Sequence, residues 1–179
     1  TLSPRELGIE AYQSRSVPFG TDLLFRLGDV SFGIELCEDL WAPIPPSSTL
    51  ALRGAEVIFN LSASNETIAK RAYRRSLVSM QSAAQLGAYV YVSAGCTEST
   101  TDLIFSGHSI ICESGKILRE NAKTIDTDYV LCADIDLGRL RADRLKNKTF
   151  SQSAALCRRD MRTVLMMGQT VNTISSARA

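Results

Sequence analysis

The chain has 179 residues, of which 45% are hydrophobic, and its 20 basic and 19 acidic side chains leave a formal charge of +1. This composition is typical of one globular domain, and the near-neutral charge without a basic block argues against nucleic acid as a partner. No apolar run reaches the roughly 18 residues needed to span a bilayer, and the start lacks a signal pattern, so we expect no membrane partner and a cytoplasmic location.

Three short runs rich in β-branched and aromatic residues have the pattern of strands covered on both faces: 30–37, 55–62 and 88–95. A short helix is expected from Thr49 to Arg53, after the proline-rich run 42–48. A longer helix is predicted from Asn65 to Leu86, with Ser64 or Asn65 as its N-cap. This alternation predicts an α/β domain with helices packed on a sheet.

The long helix is expected to bury an apolar stripe and to expose its basic residues. The stripe consists of Ile68, Ala72, Leu77, Met80 and Ala84. The basic residues on its other faces are Lys70, Arg71, Arg74 and Arg75. This helix would therefore pack on the sheet through apolar contacts and keep its charges in water.

Further along the chain, 107–120 has the pattern of two strands around a Glu-Ser-Gly turn, and 129–136 has the pattern of one more strand. Asp136 is expected to cap a basic helix over 137–148. The pattern weakens after Phe150. We therefore interpret residues 1–150 as the domain and 151–179 as a tail or linker.

The five cysteines show neither zinc nor redox spacing, and their odd number argues against a disulfide framework. Cys112 and Cys132 lie in apolar strand-like runs, where a thiol behaves as a small hydrophobic group. The single histidine, His108, has no partners at ligand spacing. It is interpreted as structural or surface, and no metal site is expected.

Cys37 differs from the other cysteines because it ends a predicted buried strand. The carboxyl ends of such strands are where α/β sheets bind their ligands, which favours a chemical role. A single cysteine is nevertheless more often an inert core thiol, and the neighbouring Glu35, Glu38 and Asp39 disfavour a thiolate. Both interpretations stay open here, since a reactive thiol would need compensating partners from elsewhere in space.

Four segments, found in one order, carry a more specific signal than the cysteine alone. They read VPFGTDLLF (17–25), FGIELCEDLWAP (32–43), NLSASNETIAKRAYRRSLV (60–78) and AGCTESTTDLIFSGHS (94–109). Together they resemble the nitrilase-type glutaminase domain of glutamine-dependent NAD synthetases, from about Val17 to Phe150. The resemblance implies an α/β fold, the nitrilase-superfamily α-β-β-α sandwich. It also implies that the domain hydrolyses glutamine and passes ammonia to a separate ATP-using synthetase domain, which amidates deamido-NAD to NAD.

The resemblance assigns roles to five residues. Cys37 matches the nucleophile that attacks the glutamine side-chain carbonyl and becomes a thioester. The backbone N–H of Glu38 would contribute to the oxyanion hole, and Trp41 would line the substrate pocket. Ser64 and Lys70 match the positions that contact the α-amino and α-carboxylate ends of glutamine.

Each binding residue also has a structural alternative. Ser64 could be a helix cap, Lys70 one more charge on a solvated face, and Trp41 a packing residue beside Pro43.

The family uses a Glu-Lys-Cys triad whose glutamate and lysine lie upstream of the segment 17–25. We therefore expect residues 1–150 to be the C-terminal part of a glutaminase domain, with 151–179 leading towards a synthetase domain outside this sequence. On this interpretation the chain alone hydrolyses glutamine poorly. No cofactor is expected in this domain, because ATP and Mg²⁺ would bind in the synthetase domain.

The expected partners are L-glutamine, the synthetase domain and further copies of the chain, since a partial sandwich leaves an apolar sheet face uncovered. Two alternatives stay open. The chain could belong to another nitrilase-type amidase that cleaves a carbamoyl or simple amide substrate. It could also be a non-catalytic α/β scaffold derived from such a domain.

Overall fold

The computed structural model of the chain describes residues 18–121 and 129–166. Within these ranges it contains seven strands and four α-helices. The strands are β1 (Leu23–Leu27), β2 (Val30–Leu36), β3 (Val57–Ser62), β4 (Ala88–Ser93), β5 (Ser109–Glu113), β6 (Lys116–Glu120) and β7 (Arg162–Met166). The helices are α1 (Pro46–Leu52), α2 (Lys70–Ala84), α3 (Leu137–Lys146) and α4 (Lys148–Leu156). Two short 3-10 turns, Cys37–Trp41 and Cys96–Glu98, follow β2 and β4.

The described strands form one mixed sheet in the order β6-β5-β4-β3-β2-β1-β7. Strands β2, β3 and β4 run parallel, whereas β1, β5 and β6 make antiparallel pairs. The three predicted core strands and the hairpin predicted in 107–120 are thus confirmed. Because parallel strands end at the same edge of a sheet, the segments after β2, β3 and β4 meet there. This edge carries the candidate site.

The two faces of the sheet are covered by different helices. Helices α1 and α2 cover one face and bury the larger core, which includes Ile58 and Tyr89. On the opposite face, Leu140 of α3 packs on Val57 and Ala88, near the beginnings of β3 and β4. Side chains alternate between the faces along a strand, so β3 and β4 contribute to both cores.

The remainder of this second face is left open by the described residues. Its apolar side chains towards the carboxyl ends of β2, β3 and β4 are 39–55% exposed: Ile34, Leu36, Leu61 and Val92. We call these four residues the apolar strip. They lie side by side, since Leu36 pairs with Leu61 and Leu61 pairs with Val92. The described residues therefore supply one sheet of the predicted two-sheet sandwich.

Helix α2 begins later than the sequence predicted. It begins at Lys70 rather than Asn65, because its N-cap residue Ala69 adopts a left-handed conformation with φ 67°. That conformation interrupts a right-handed helix, so 63–69 forms a loop instead of a first helical turn. Neither Ser64 nor Asn65 caps the helix, so the predicted N-cap was wrong.

Of the predicted apolar stripe of α2, Leu77 packs against the core, whereas the other four residues are exposed and the prediction was wrong for them. Ile68 lies before the helix and is fully exposed, and Met80 is 68% exposed. The buried face consists of Arg74, Val78 and Ser82, which are four residues apart and therefore lie on one side. Arg74 and Ser82 are polar, and a prediction from hydrophobicity places polar residues on the exposed face. Each of the two has hydrogen-bond partners inside the protein, which makes its burial tolerable.

No strand forms in 129–136, contrary to the prediction. The segment is held to the sheet by hydrogen bonds that involve side chains, from the Tyr129 hydroxyl to the Gly107 carbonyl oxygen at 2.5 Å and from the Asp136 N–H to the Glu113 carboxylate at 2.7 Å. The segment instead leads into α3, and Ile135 packs against the Leu140 core. Cys132 is exposed rather than buried in an apolar run.

Three further predictions concern helix ends and the tail. Asp136 caps α3 as predicted, since its side chain accepts a hydrogen bond from the Arg139 N–H at 2.9 Å. Helix α1 begins at Pro46, inside the expected breaker run, because the first turn of a helix tolerates proline. The predicted tail contains the end of α4 and strand β7, which pairs with β1. Residues 167–179 lie outside the described residues.

Candidate active site

Cys37 stands at the turn that ends β2. It is half-buried and begins the 3-10 turn Cys37–Trp41. Its φ of 44° lies in the left-handed region, which costs a residue with a side chain on the order of 1–3 kcal/mol. The chain therefore changes direction sharply at the nucleophile candidate, at the edge where β2, β3 and β4 end.

The buried carboxylate of Glu35 accepts hydrogen bonds from residues around this turn. Glu35 is 2% exposed and accepts hydrogen bonds from the Ser47 N–H at 2.7 Å and from the Tyr89 hydroxyl. The Asn60 amide nitrogen lies 3.5 Å from the Glu35 carboxylate and 3.4 Å from the Cys37 carbonyl oxygen, and donates to both. Burial and the Glu35 carboxylate raise the pKa of Tyr89, so its phenol stays a donor. Glu35 thus holds the turn in place.

The two other acids beside Cys37 occupy different positions. Asp39 closes the turn, because its carboxylate accepts a hydrogen bond from the Leu36 N–H at 2.9 Å. The Glu38 side chain is exposed. The Glu38 N–H belongs to the first turn of a helical segment, where N–H groups have no partner within the helix. Its predicted role in an oxyanion hole stays a prediction.

The five predicted site residues line one cleft of about 430 Å³. Three come from the turn after β2, Ser64 comes from the loop between β3 and α2, and Lys70 is the first residue of α2. The complete lining is Cys37, Glu38, Trp41, Ala63, Ser64, Asn65, Lys70 and Leu103. The fold therefore brings together the predicted site residues, although Cys37 and Lys70 are 33 positions apart in the sequence.

Lys70 and Trp41 contact one another within the cleft. The Lys70 ammonium lies 5.7 Å from the centroid of the Trp41 ring and donates to the Asn65 side-chain oxygen at 2.5 Å. Trp41 also stacks with the Tyr73 ring, with a centroid distance of 5.4 Å. Trp41 is thus both a packing residue and part of the cleft wall, and Lys70 is held at the cleft.

Three lining residues were missed by the sequence analysis: Ala63, Asn65 and Leu103. Ala63 was assigned no role, Asn65 was considered only as a helix cap, and Leu103 belongs to the distant loop between β4 and β5. The one available signal for Asn65 was its position beside Ser64, because a loop residue next to a predicted contact shares its surroundings. No sequence pattern pointed to Leu103.

A second polar cluster lies behind the cleft and involves the fully buried Arg74 and His108. The Arg74 guanidinium donates to the Glu66 carboxylate at 3.1 and 3.2 Å and lies 2.8 Å from His108 Nδ1. Because a guanidinium can only donate, Nδ1 accepts, and the Nε2–H of His108 donates to Glu120 at 2.9 Å. Burial lowers the pKa of His108 to about 4, so the imidazole is neutral at pH 7. His108 is therefore a structural residue, and Arg74 does not lie on a solvated face.

Over residues 18–121 and 129–166, no group of three or more His, Cys, Asp or Glu side chains could hold a metal ion. Within the same ranges, no helix combines the length and the apolar character that crossing a membrane requires.

Comparison with known proteins supports the resemblance seen in the four sequence segments. The carbon-nitrogen hydrolase family matches residues 4–145. The glutamine-dependent NAD(+) synthetase of Mycobacterium tuberculosis (strain ATCC 25618 / H37Rv) is 44% identical over 140 residues, which are 76% of this chain and 21% of that protein. The chain thus spans about a fifth of the length of the curated relatives it matches.

Two solved structures share the fold. The glutamine-dependent NAD+ synthetase of Acinetobacter baumannii in complex with ADP aligns with a TM-score of 0.54 at 24% identity, over 58% of this chain and 19% of that chain. A carbon-nitrogen hydrolase from Helicobacter pylori G27 aligns with a TM-score of 0.53 at 21% identity, over 73% of this chain and 50% of that chain. The predicted α/β nitrilase-superfamily fold is therefore confirmed, and the chain belongs to the carbon-nitrogen hydrolase family.

Proposed function

We propose that this chain is the carbon-nitrogen hydrolase part of a glutamine-dependent NAD synthetase and that its cleft hydrolyses the side-chain amide of L-glutamine. The observation that carries this proposal is one cleft lined by Cys37, Glu38 and Lys70, whose ammonium is held by the Asn65 side-chain oxygen. Similarity to curated proteins named glutamine-dependent NAD(+) synthetase supports it. The released ammonia would reach an ATP-using synthetase domain and amidate deamido-NAD to NAD.

The chemistry begins with attack of the Cys37 sulfur on the amide carbonyl carbon. The negative charge that develops on the carbonyl oxygen would be stabilised by the Glu38 N–H. When the tetrahedral intermediate collapses, the C–N bond breaks and the nitrogen leaves as ammonia with a proton from a general acid. The Cys37 thioester is then hydrolysed by water, which gives glutamate and restores the thiol. The family's glutamate and lysine would move the protons in these steps.

The other cleft residues would select the substrate. Glutamine carries an α-carboxylate and an α-ammonium group at the end opposite to its amide. Lys70 would bind the carboxylate through a charge-assisted hydrogen bond, and Ser64 would accept a hydrogen bond from the ammonium group. The Trp41 ring would form the wall along the aliphatic part of the substrate.

The proposal is tested by labelling with the diazo-ketone analogue of glutamine and locating the label by mass spectrometry across a pH series, on this chain and on a chain extended at its N-terminus to include the family's glutamate and lysine. We expect selective labelling of Cys37 in the extended chain, because this thiol lies in the cleft with Lys70 and Ser64. Cys132 is exposed and serves as an internal control for non-selective reaction. The variant Cys37→Ala should take up no label in the cleft. Labelling of Cys37 in the extended chain no faster than that of Cys132 would contradict the proposal.

The same experiment separates the two alternatives. A nitrilase-type amidase for simple amides would react with iodoacetamide at Cys37 but show no preference for the glutamine analogue. A non-catalytic scaffold would leave Cys37 as slow as an ordinary thiol towards both reagents.

A further inference from the structure

Asn65 contacts the side chain of Lys70, one of the predicted substrate-binding residues. Its amide oxygen accepts a hydrogen bond from the ammonium group at 2.5 Å, while the Trp41 ring lies 5.7 Å from the same nitrogen. A lysine side chain has four rotatable bonds and does not by itself hold its charge at one point. These two contacts fix the ammonium at the cleft wall.

The loop that carries Asn65 is itself held by several hydrogen bonds. The next residue, Glu66, donates its N–H to the Ile104 carbonyl oxygen at 2.7 Å. Its carboxylate accepts from the buried Arg74 and from the Ser106 hydroxyl at 2.6 Å. On the other side of Asn65, Ser64 is 6% exposed. Asn65 is therefore presented by an anchored segment, and its oxygen has a defined position.

The chemical type of the partner matters for a cation that binds an anionic ligand. An asparagine oxygen accepts one hydrogen bond and carries no charge, so the ammonium keeps its full charge and two further N–H groups. An aspartate at the same place would hold the ammonium equally well but would offset its charge. The neutral amide thus fixes Lys70 without competing with a carboxylate ligand.

We propose that Asn65 is a positioning residue that holds the Lys70 ammonium against Trp41, and that this arrangement makes the cleft select amides that bear an α-carboxylate. This inference rests on the proposed glutamine-hydrolysing function and names the residue on which its carboxylate selectivity depends.

The test compares two electrophiles that react with the same thiol in the N-terminally extended chain, and every variant is made in that extended chain. The diazo-ketone analogue of glutamine carries an α-carboxylate, and iodoacetamide does not. Asn65→Ala is expected to raise the half-saturating concentration of the diazo-ketone about tenfold, the loss typical of one charge-assisted hydrogen bond. Its maximal labelling rate and the iodoacetamide rate should stay unchanged. Asn65→Asp should raise the half-saturating concentration at least as much.

Two further variants make the result specific. In a Lys70→Ala background, Asn65→Ala should have no additional effect, because its action passes through the ammonium. Thr67→Ala alters an exposed side chain of the same loop and should behave like the unmodified chain.

Three results would overturn the role of Asn65: an unchanged half-saturating concentration in Asn65→Ala, an equal loss with iodoacetamide, or additive effects of the Asn65 and Lys70 substitutions. If the unmodified extended chain reacts at Cys37 with iodoacetamide but not with the diazo-ketone, the proposed glutamine site itself is wrong. Failure of the inference and failure of the proposed function thus give different patterns.

Discussion

At the scale of single residues, Cys37 combines a strained backbone with a position at the cleft. Its backbone is strained, with φ 44°, while Asn60 and the buried Glu35 hold its carbonyl oxygen and the turn around it. Of the three acids near Cys37, Glu35 and Asp39 thus accept hydrogen bonds within the protein, and the Glu38 side chain is exposed. Strain at such a position is maintained only when the surrounding structure compensates for it.

The strain can be measured with two substitutions that both remove the thiol. Cys37→Gly should be more stable than Cys37→Ala by about 1 kcal/mol, because glycine adopts the left-handed region without a steric penalty. Urea unfolding of both variants with equal m-values gives the difference directly.

The matched control for this comparison is Cys112, a fully buried residue within β5. There the order should reverse, since glycine in a strand loses more conformational entropy than alanine and packs less. An alanine variant at position 37 that equals or exceeds the glycine variant in stability would contradict the strain argument.

At the scale of secondary-structure elements, α2 is attached to its surroundings by a polar cluster in addition to the core contacts of Leu77 and Val78. Arg74 of α2, His108 just before β5 and Glu120 at the end of β6 form a chain of hydrogen bonds. Arg75 adds a second contact from α2 to Glu120 at 2.8 Å. These contacts connect three elements, so the protonation state of His108 affects how all three pack.

This cluster predicts a pH dependence of stability. The pKa of His108 is about 4 in the folded chain, below its ordinary value of 6.5, because the imidazole is buried. As the pH falls, the unfolded state binds the proton first, so the stability present above pH 6.5 is lost between pH 6.5 and 4. Between pH 7.5 and 5.5 we expect the free energy of unfolding to fall by about 1 kcal/mol through this residue.

Urea unfolding at the two pH values measures this loss. His108 is the single histidine of the sequence, and most carboxylates titrate below this range, so the variant His108→Gln should lack the loss. The same pH dependence in the variant would show that another group is responsible.

At the scale of the whole molecule, the sheet has one closed face and one partly open face. The closed face lies under α1 and α2, whereas α3 covers only one end of the other. The apolar strip at the uncovered end lies beside the cleft edge, since it includes the last residue of β2 and residues near the ends of β3 and β4. Exposed apolar side chains in contact with one another favour association.

We therefore expect the purified chain to self-associate through the apolar strip. Leu61→Lys places a charge in its centre and should weaken association by about tenfold or more in the dissociation constant, measured by sedimentation over a concentration series. Leu145→Lys introduces the same charge at an exposed site of α3 and should have no such effect. Equal association of Leu61→Lys and the unmodified chain would contradict this expectation.

The sequence by itself determined the parts of this protein that depend on local pattern. The β-branched runs gave β2, β3 and β4 because a strand that is buried on both faces needs consecutive apolar residues. Asp136 identified the start of α3 because capping is a local hydrogen bond. The position of Cys37 after a buried strand, together with the four segments, identified the family.

Only the tertiary structure decided which polar residues are buried and which loops meet. Arg74 and His108 are buried because partners distant in sequence satisfy them, and a hydrophobicity pattern holds no record of such partners. Strand β7 escaped detection because it is an edge strand with mostly exposed side chains, and it forms by pairing with β1 across the chain. Asn65 lines the cleft because α2 begins only after the left-handed Ala69, so that residues 63–69 form a loop. That conformation depends on contacts made in three dimensions, which no sequence periodicity records.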